Sequence, residues 1–422
     1  MVAPPRDAAL PSLAGAAWVS APPVRRVFAA LGGGDAETRI IGGAVRDSLA
    51  GRPVGDIDFA TTALPGEVTA KAARAGIKAV PTGIEHGTVT LVADGIPFQV
   101  TTLREDVATD GRHAVVRFGR DWTADARRRD FTVNALSVDS SGSVHDPLGG
   151  YPDILSHRIR FIGDPDHRIA EDRLRILRFF RFNAEFGDGA IDGAGLGAAI
   201  RARDGLRTLS AERIGQEMRR IILAPRAAAM LGLMQDCGIL PIILAGVACL
   251  GPFARYLEFE RRVEARPSLA LRLAAAACRV EEDVERLSDR LRLSNVERER
   301  ARAALAAMTE VPAASDEQAA LRLLYALGEG GEAVFRGAVA LDFAWSETDD
   351  AEGHVGLYRL PDRRSRPRFP LRGRDVLGAG APHGPAIGEV LHALEAWWVD
   401  HNFVPDETEL RARLQQMIAA VQ

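Results

Sequence analysis

Hydrophobic positions in the first 140 residues come in short runs broken by glycine, proline and aspartate, the pattern of brief strands and helices. Val24 to Leu31 predicts a short helix, ended by Gly32-Gly33-Gly34-Asp35. Arg39 to Ile41 reads as a strand end, Gly42 and Gly43 as a turn, and Ala44 to Ala50 as two helical turns closed by Gly51. After a turn at Arg52 to Gly55, Asp56-Ile57-Asp58-Phe59 has strand composition. Pro65 opens an amphipathic helix to about Ala75, with Gly76 as its stop. Two β-branched runs flank Asp94-Gly95, a hairpin signal, and the strand Phe98 to Leu103 is expected near the aspartate strand. Arg104 to Asp125 has no clean period and reads as a long loop around Trp122. The turn-rich stretch His145 to Gly150 marks a domain boundary, and from Asp166 onward the period is helical, with short Gly/Pro breaks and no internal repeat. The expected fold class is α+β, a small mixed sheet with helices followed by helical domains.

Chemistry concentrates where these elements meet. Residues two apart on a strand share a face, so Asp56 and Asp58 are expected side by side. Two such anions repel unless they share a cation, and Mg²⁺ takes one or two carboxylates together with waters and substrate phosphates. A glycine turn opening a helix aims backbone N–H groups at one spot, where a phosphate can sit. Arg46, on the first turn of that helix, could hold the same phosphate. Each piece alone also fits a surface turn or a solvated edge. Their order and separation together point to a metal facing a nucleoside triphosphate held at Gly43 and Arg46. Arg127, Arg128, Arg129 and Asp130 form either a solvated basic turn or a triphosphate clamp in which Asp130 orients an arginine.

The run H-R-I-A-E-D-R-L-R-I-L-R-F-F-R-F, His167 to Phe182, reads as one helix. Asp172, Arg175, Arg178 and Arg181 recur every three residues and share roughly one face, while Leu174, Ile176, Leu177, Phe179, Phe180 and Phe182 supply packing. The plain reading is a row of salt bridges on a solvated face. The chemical reading starts from base edges. Cytosine and adenine each present an amino donor beside a ring-nitrogen acceptor, and uracil and guanine present the reverse. A fixed carboxylate at Asp172, accepting from the amino group, and a fixed guanidinium at Arg175, donating to the ring nitrogen, match the first pair only. Such a pair rejects a mismatched edge by factors on the order of 10⁴.

Composition narrows the setting. The 422 residues suggest two to four domains, and 53 basic against 57 acidic residues give a net charge of −4, with no bulk nucleic-acid signature. Lysine occurs only at 71 and 78, so any RNA-binding face must come from arginine clusters. One candidate is Arg359 to Arg374, which either touches RNA phosphates or is a flexible linker. Trp397 and Trp398 read as packing. Cys237, Cys249 and Cys278 lack metal-ligand spacing and read as reduced core residues. Ile239 to Leu250 is too short to span a bilayer, and Pro4, Pro5 and Asp7 stand where a signal peptide needs an apolar run. The expectation is a soluble, cytoplasmic protein.

The segments G-G-A-V-R-D…D-I-D, R-R-D-F-T-V-N-A-L and E-D-R-L-R-I-L-R-F-F-R-F, with L-S-A-E-R-I-G-Q-E-M at Leu209 to Met218, resemble the class II tRNA nucleotidyltransferase and bacterial poly(A) polymerase family. The likeness runs from about 38 to 224 and continues more loosely through Asp289 to Asn295 and around Gly384 to Gly388. It implies a palm-like nucleotidyltransferase head over 1–150, then an all-helical neck over 151–225, body over 226–345 and tail over 346–422 that hold the tRNA acceptor arm. By the same resemblance Asp56 and Asp58 would ligate Mg²⁺ and be catalytic. Gly43, Arg46, Arg128 and Arg129 would touch phosphates and sugar, and Asp172, Arg175, Arg178 and Arg181 would read the base and hold phosphate. Asp130 and Glu171 would support them. Relatives often carry an acidic residue where this chain has Gln99. The stretch Thr82 to Val92 resembles the CCA-adding branch, and 104–125 resembles the flexible element of enzymes that switch from C to A. The implied activity is template-independent addition of CMP and AMP to tRNA from CTP and ATP, with no membrane association and no obligate protein partner. The alternatives are an A-adding enzyme or poly(A) polymerase, or a catalytically inactive RNA-binding protein of the same fold.

Overall fold

The computed structural model describes residues 10–33, 35–109, 114–188, 190–346, 348, 350–380 and 386–419. Helix α1 (Pro22–Leu31), strand β1 (Thr38–Ile41), α2 (Gly43–Leu49), β2 (Asp58–Thr61), α3 (Pro65–Arg74), β3 (Lys78–Gly83), β4 (Thr88–Ala93) and β5 (Ile96–Thr102) follow the predicted order closely. The Asp94-Gly95 turn joins β4 to β5 with both residues at positive φ, 53° and 80°, as a tight hairpin needs. Two further short strands, β8 (Ser137–Val138) and β9 (Val144–His145), come after an outlying pair, β6 (Arg104–Thr109) and β7 (Ala114–Phe118).

Among the described residues, seven strands form one mixed sheet in the order β3-β4-β5-β2-β1-β8-β9. Strand β2 pairs antiparallel with β1 and parallel with β5. Phe59 points to the side covered by α1 and α3, meeting Phe28 and Phe98 edge-on at 5.1 and 5.8 Å. Alternation then sends Asp58 to the opposite face. There the rows Thr88–Thr101 and Thr90–Gln99 lie beside it, in register with Ala60 and Asp58.

Three expectations are corrected. Asp56 lies outside β2, whose ladder begins at Asp58, opposite Ile41; the next residue of that partner is Gly42, which turns away into α2 at φ 67°. The stretch expected to be a loop from Arg104 is a two-stranded antiparallel hairpin followed by α4 (Trp122–Arg127), with residues 110–113 of its tip outside the described residues. Hairpins with a bulged register between Asp106 and Ala108 lose the strict period of two on which strand detection relies. The third correction concerns His167 to Phe182, which is not one helix. After α5 (Tyr151–Leu155), α6 (Pro165–Glu171) ends where Asp172 turns extended, φ −152° and ψ 108°, and α7 (Leu174–Glu185) begins two residues later. The Asp172 carboxylate accepts from the Leu174 N–H, a local bond that competes with helix continuation.

The chain divides into two compact units, Met1–Ala245 and Gly246–Gln422. The first also contains α8 (Gly193–Ala202), α9 (Ala211–Leu223), α10 (Ala227–Asp236) and α11 (Leu240–Leu244). The helical part of this unit is locked to the sheet part through Phe131, whose ring contacts Phe161, Phe179 and Phe182 at 4.8, 6.3 and 5.2 Å. The second unit is helical throughout its described elements, from α12 (Leu250–Arg262) through α13 (Leu269–Ala277), α14 (Glu281–Leu291), α15 (Asn295–Met308), α16 (Glu317–Ala326), α17 (Glu332–Trp345), α18 (Ala351–Tyr358), α19 (Leu360–Arg363) and α20 (Gly373–Gly378) to α21 (Ala386–Asp400) and α22 (Glu407–Ala419). Its basic run is anchored: Arg366 donates to the Tyr325 carbonyl at 2.9 Å, Leu371 is buried, and Phe369 packs on Trp398. Trp398 is buried and donates to the Pro405 carbonyl, and Trp397 packs against the same cluster. No described helix is long and apolar enough to cross a membrane.

Phe131→Ala should destabilise the first unit by roughly 3–5 kcal/mol, read from chemical denaturation; a loss under about 1 kcal/mol would mean the aromatic cluster does not join the two parts. In the second unit, His354 is buried between the Asp342 carboxylate (3.0 Å) and the Asp350 carbonyl (2.7 Å). Burial alone would lower its proton affinity, but these two bonds outweigh it and raise the pKa. The protonated pair therefore stabilises fully below the unfolded value of about 6.5, and the contribution disappears as pH rises through the higher folded value. Thermal unfolding across that range should show stability falling with rising pH, with a shallower slope in His354→Asn; equal slopes would remove the pair from the account.

Candidate active site

A cavity of about 730 Å³ opens between the free face of the sheet and helices α2, α7 and α9, with Asp172 of the α6–α7 corner in its wall. Gly43, Arg46, Asp56, Asp58, Arg128, Arg129, Asp130, Asp172, Arg175, Arg178 and Arg181 all line it, so the sequence candidates converge although they span more than a hundred residues. Glu171 stands behind the wall. The lining counts eight arginines against five aspartates, a positive surplus suited to a polyanion.

The acidic corner is built by β2. Asp58 is half-buried at the strand's start, and Asp56 is exposed just before it. Burial, and then the charge of Asp56, push the Asp58 carboxyl up, while Arg129 pulls it the other way. A more basic carboxylate with an anionic neighbour is a hard-oxygen donor pair, the kind of ligand that Mg²⁺ takes. Gln99 is the register partner of Asp58 on β5 and faces the same side, adding an amide oxygen where an acid would add charge. Among the described residues no group of three His, Cys, Asp or Glu side chains is gathered as a ligand set.

The arginines expected to meet phosphate are held from beneath. Asp125, on α4 and only 3% exposed, accepts from Arg128 at 2.6 Å and from Arg129 at 2.9 Å. Burial would raise its carboxyl, but the two guanidinium charges dominate and hold it below the usual range. Asp130 does not orient these neighbours; its carboxylate takes Arg178 of α7 at 2.5 Å and also accepts from Asn134 and the Phe131 N–H. Asn134 in turn accepts from Arg46 at 2.6 Å, and Arg46 pairs with Asp47 and lies over the Phe186 ring at 3.9 Å. One polar chain thus runs from α2 through Asn134 and Asp130 to α7.

The base-reading candidates sit at the α6–α7 corner. Asp172 offers one oxygen to the Leu174 N–H (3.0 Å) and the other to Arg213 of α9 (2.7 Å). Arg175 is bonded to the Glu171 carboxylate and to the Arg168 carbonyl at 2.8 Å. Each member of the pair is therefore fixed by a partner of its own. Arg181 is the outlier: it is 2% exposed and committed to Glu217 at 2.6 Å and Glu185 at 3.2 Å, bracing α7 against α9. Sequence reasoning missed Asp125, Asn134, Arg168, Arg213 and Glu217. Only Asp125 carried a usable signal, being three and four residues before Arg128 and Arg129.

The arrangement can be compared with known proteins. The family model described as "Poly A polymerase head domain" matches residues 38–160, and that described as "Probable RNA and SrmB- binding site of polymerase A" matches 196–250. CCA tRNA nucleotidyltransferase 1, mitochondrial, of Mus musculus is 33% identical over 386 residues, covering 90% of this chain and 87% of that protein. The CCA-adding enzyme of Geobacillus kaustophilus is 33% identical over 366 residues, covering 85% and 87%. Among solved structures, the Bacillus stearothermophilus CCA-adding enzyme in complex with CTP superposes with a TM-score of 0.72 at 28% identity, covering 95% of this chain and 98% of that one. The Thermotoga maritima CCA-adding enzyme complexed with tRNA shares the fold at 21% identity, TM-score 0.67, over 92% of each chain. With its sheet, its helical units and almost its whole length matched in this way, the chain belongs to the family of CCA-adding tRNA nucleotidyltransferases.

Proposed function

We propose that this chain builds or repairs the CCA end of tRNA, adding CMP and AMP from CTP and ATP in a Mg²⁺-dependent reaction. The observation that carries the reading is that one cavity joins an acidic pair, Asp56 and Asp58, an arginine surplus, and the fixed Asp172–Arg175 pair. The tRNA 3′-oxygen attacks the α-phosphorus of the triphosphate, the bond to the leaving pyrophosphate breaks, and the 3′-hydroxyl proton passes to solvent water. Asp56 and Asp58 would hold the ion. Bound there, Mg²⁺ would act as a Lewis acid and lower the pKa of the attacking hydroxyl. Arg128 and Arg129, anchored by Asp125, receive the phosphates without first having to be ordered. Asp172 accepts from the base amino group and Arg175 donates to the ring nitrogen, the combination common to C and A. A chain so equipped needs no nucleic-acid template to choose its substrate. The cytoplasm is the compartment assigned in this reading; the animal relatives are named mitochondrial.

An A-adding or poly(A)-forming enzyme is the second reading, favoured by the name of the matched head-domain family. Incubating tRNA lacking its 3′ end with CTP alone, ATP alone or both separates the two. Ordered C, C, A addition that requires the metal is expected, and long tails from ATP without prior CTP would overturn the proposal. Asp58→Ala should lower incorporation by at least about 10³-fold while tRNA affinity stays within a few-fold. Loss of tRNA binding in that variant would make Asp58 a structural residue instead. Asp172→Ala should relax discrimination against UTP and GTP on the order of 10²-fold or more, and unchanged selectivity would refute the base-edge argument.

A further inference from the structure

Behind the cavity wall, Arg168 of α6 is 7% exposed and makes bonds in two directions. One arm of its guanidinium donates to Glu171, whose same oxygen also accepts from Arg175. The other arm donates to the backbone carbonyls of Arg128 and Arg129, both at 2.5 Å. Arg175 itself reaches toward the Arg128 carbonyl at 3.5 Å and takes the Arg168 carbonyl at 2.8 Å. The two residues whose side chains Asp125 fixes from one side are therefore held by their backbones from the other. The holder is the same group that sets Glu171, and through it Arg175.

We infer that Arg168 is a positioning residue that couples base reading to phosphate holding, so that the fit of the base at Arg175 and the seating of the triphosphate at Arg128 and Arg129 are set together. This rests on the reading of Asp172 and Arg175 as the base-recognising pair. Its physical content lies in the geometry of the guanidinium. A planar fork can serve a carboxylate on one arm and two carbonyls on the other, whereas the point charge of an ammonium on a shorter reach cannot hold all three in fixed directions. A displacement of the Arg128–Arg129 backbone is transmitted through Arg168 and Glu171 to Arg175, and a misfitting base is felt along the same bonds in reverse.

The test is Arg168→Lys, with Glu171→Gln as a second variant that keeps Arg168 and removes the carboxylate charge that Arg168 and Arg175 share. Single-nucleotide incorporation from CTP and from UTP into truncated tRNA gives kcat and KM for each. In Arg168→Lys the preference for CTP over UTP should fall about tenfold or more and the KM for CTP should rise several-fold, with kcat for CTP at saturation nearly unchanged. Glu171→Gln should lose the same preference with a smaller rise in KM. Combined with Asp172→Ala, Arg168→Lys should add little further loss of preference yet still raise KM, as expected for two residues acting through one reading pair. If Asp172→Ala relaxes selectivity and both other variants keep the parent's ratio, the coupling is wrong and the base reading stands. If Asp172→Ala leaves selectivity unchanged, the base reading falls, and the inference with it. A uniform drop in kcat for both nucleotides, with the ratio intact, would assign Arg168 a merely structural part.

Discussion

The structure around the cavity depends on pairing every guanidinium with a carboxylate before any substrate arrives. Arg46 is bonded to Asp47, Arg128 and Arg129 to Asp125, Arg175 to Glu171, Arg178 to Asp130, Arg181 to Glu217 and Glu185, Arg213 to Asp172 and Arg220 to Glu185. Buried charges are tolerable only on such terms, because the desolvation of each ion must be met by a well-aligned partner and further hydrogen bonds. The pairing also settles direction. A free arginine samples many rotamers, whereas one tied at its back presents its remaining N–H groups to one place. The electrostatic field of the cavity is in this sense already built, which is how preorganised sites avoid reorganisation when charge shifts.

The pairing ties distant segments together as well. Asp130 and Arg178 are 48 residues apart and Asp172 and Arg213 are 41 apart, and the hydrogen bond from Arg46 to the Asn134 amide oxygen spans 88. The aromatic cluster around Phe131 gives the apolar counterpart of the same junction. Sheet and helices of the first unit are therefore joined by one greasy contact and several ionic ones, and the cavity lies where they meet.

Most of the elements were legible in the chain itself, because local rules decide them. The glycine turn into α2, the Asp94-Gly95 hairpin and the neighbouring of β2 and β5 follow from turn residues and β-branched runs. What was not legible came from competition between local and tertiary bonds. Asp172 sits in a stretch with an unbroken helical period, and only its bonds to Leu174 and Arg213 explain why the helix stops there. Asp56 has strand neighbours in sequence but none in space, since its would-be partner strand has already turned away at Gly42. The site residues that could be named were those whose charge stood out in a motif. The carboxylates and amide that hold them, Asp125, Asn134 and Glu217, belong to the far side of ion pairs that sequence spacing mostly hides.

The cavity's cationic lining contains arginine and no lysine, in a chain whose two lysines stand at 71 and 78. Guanidinium stays charged throughout the range in which proteins fold, and it offers no amine to acylate or to condense with a carbonyl. The cavity's positive lining therefore offers no lysine amine to an acetyl donor. Its charge is set by composition and does not depend on the state of any amine.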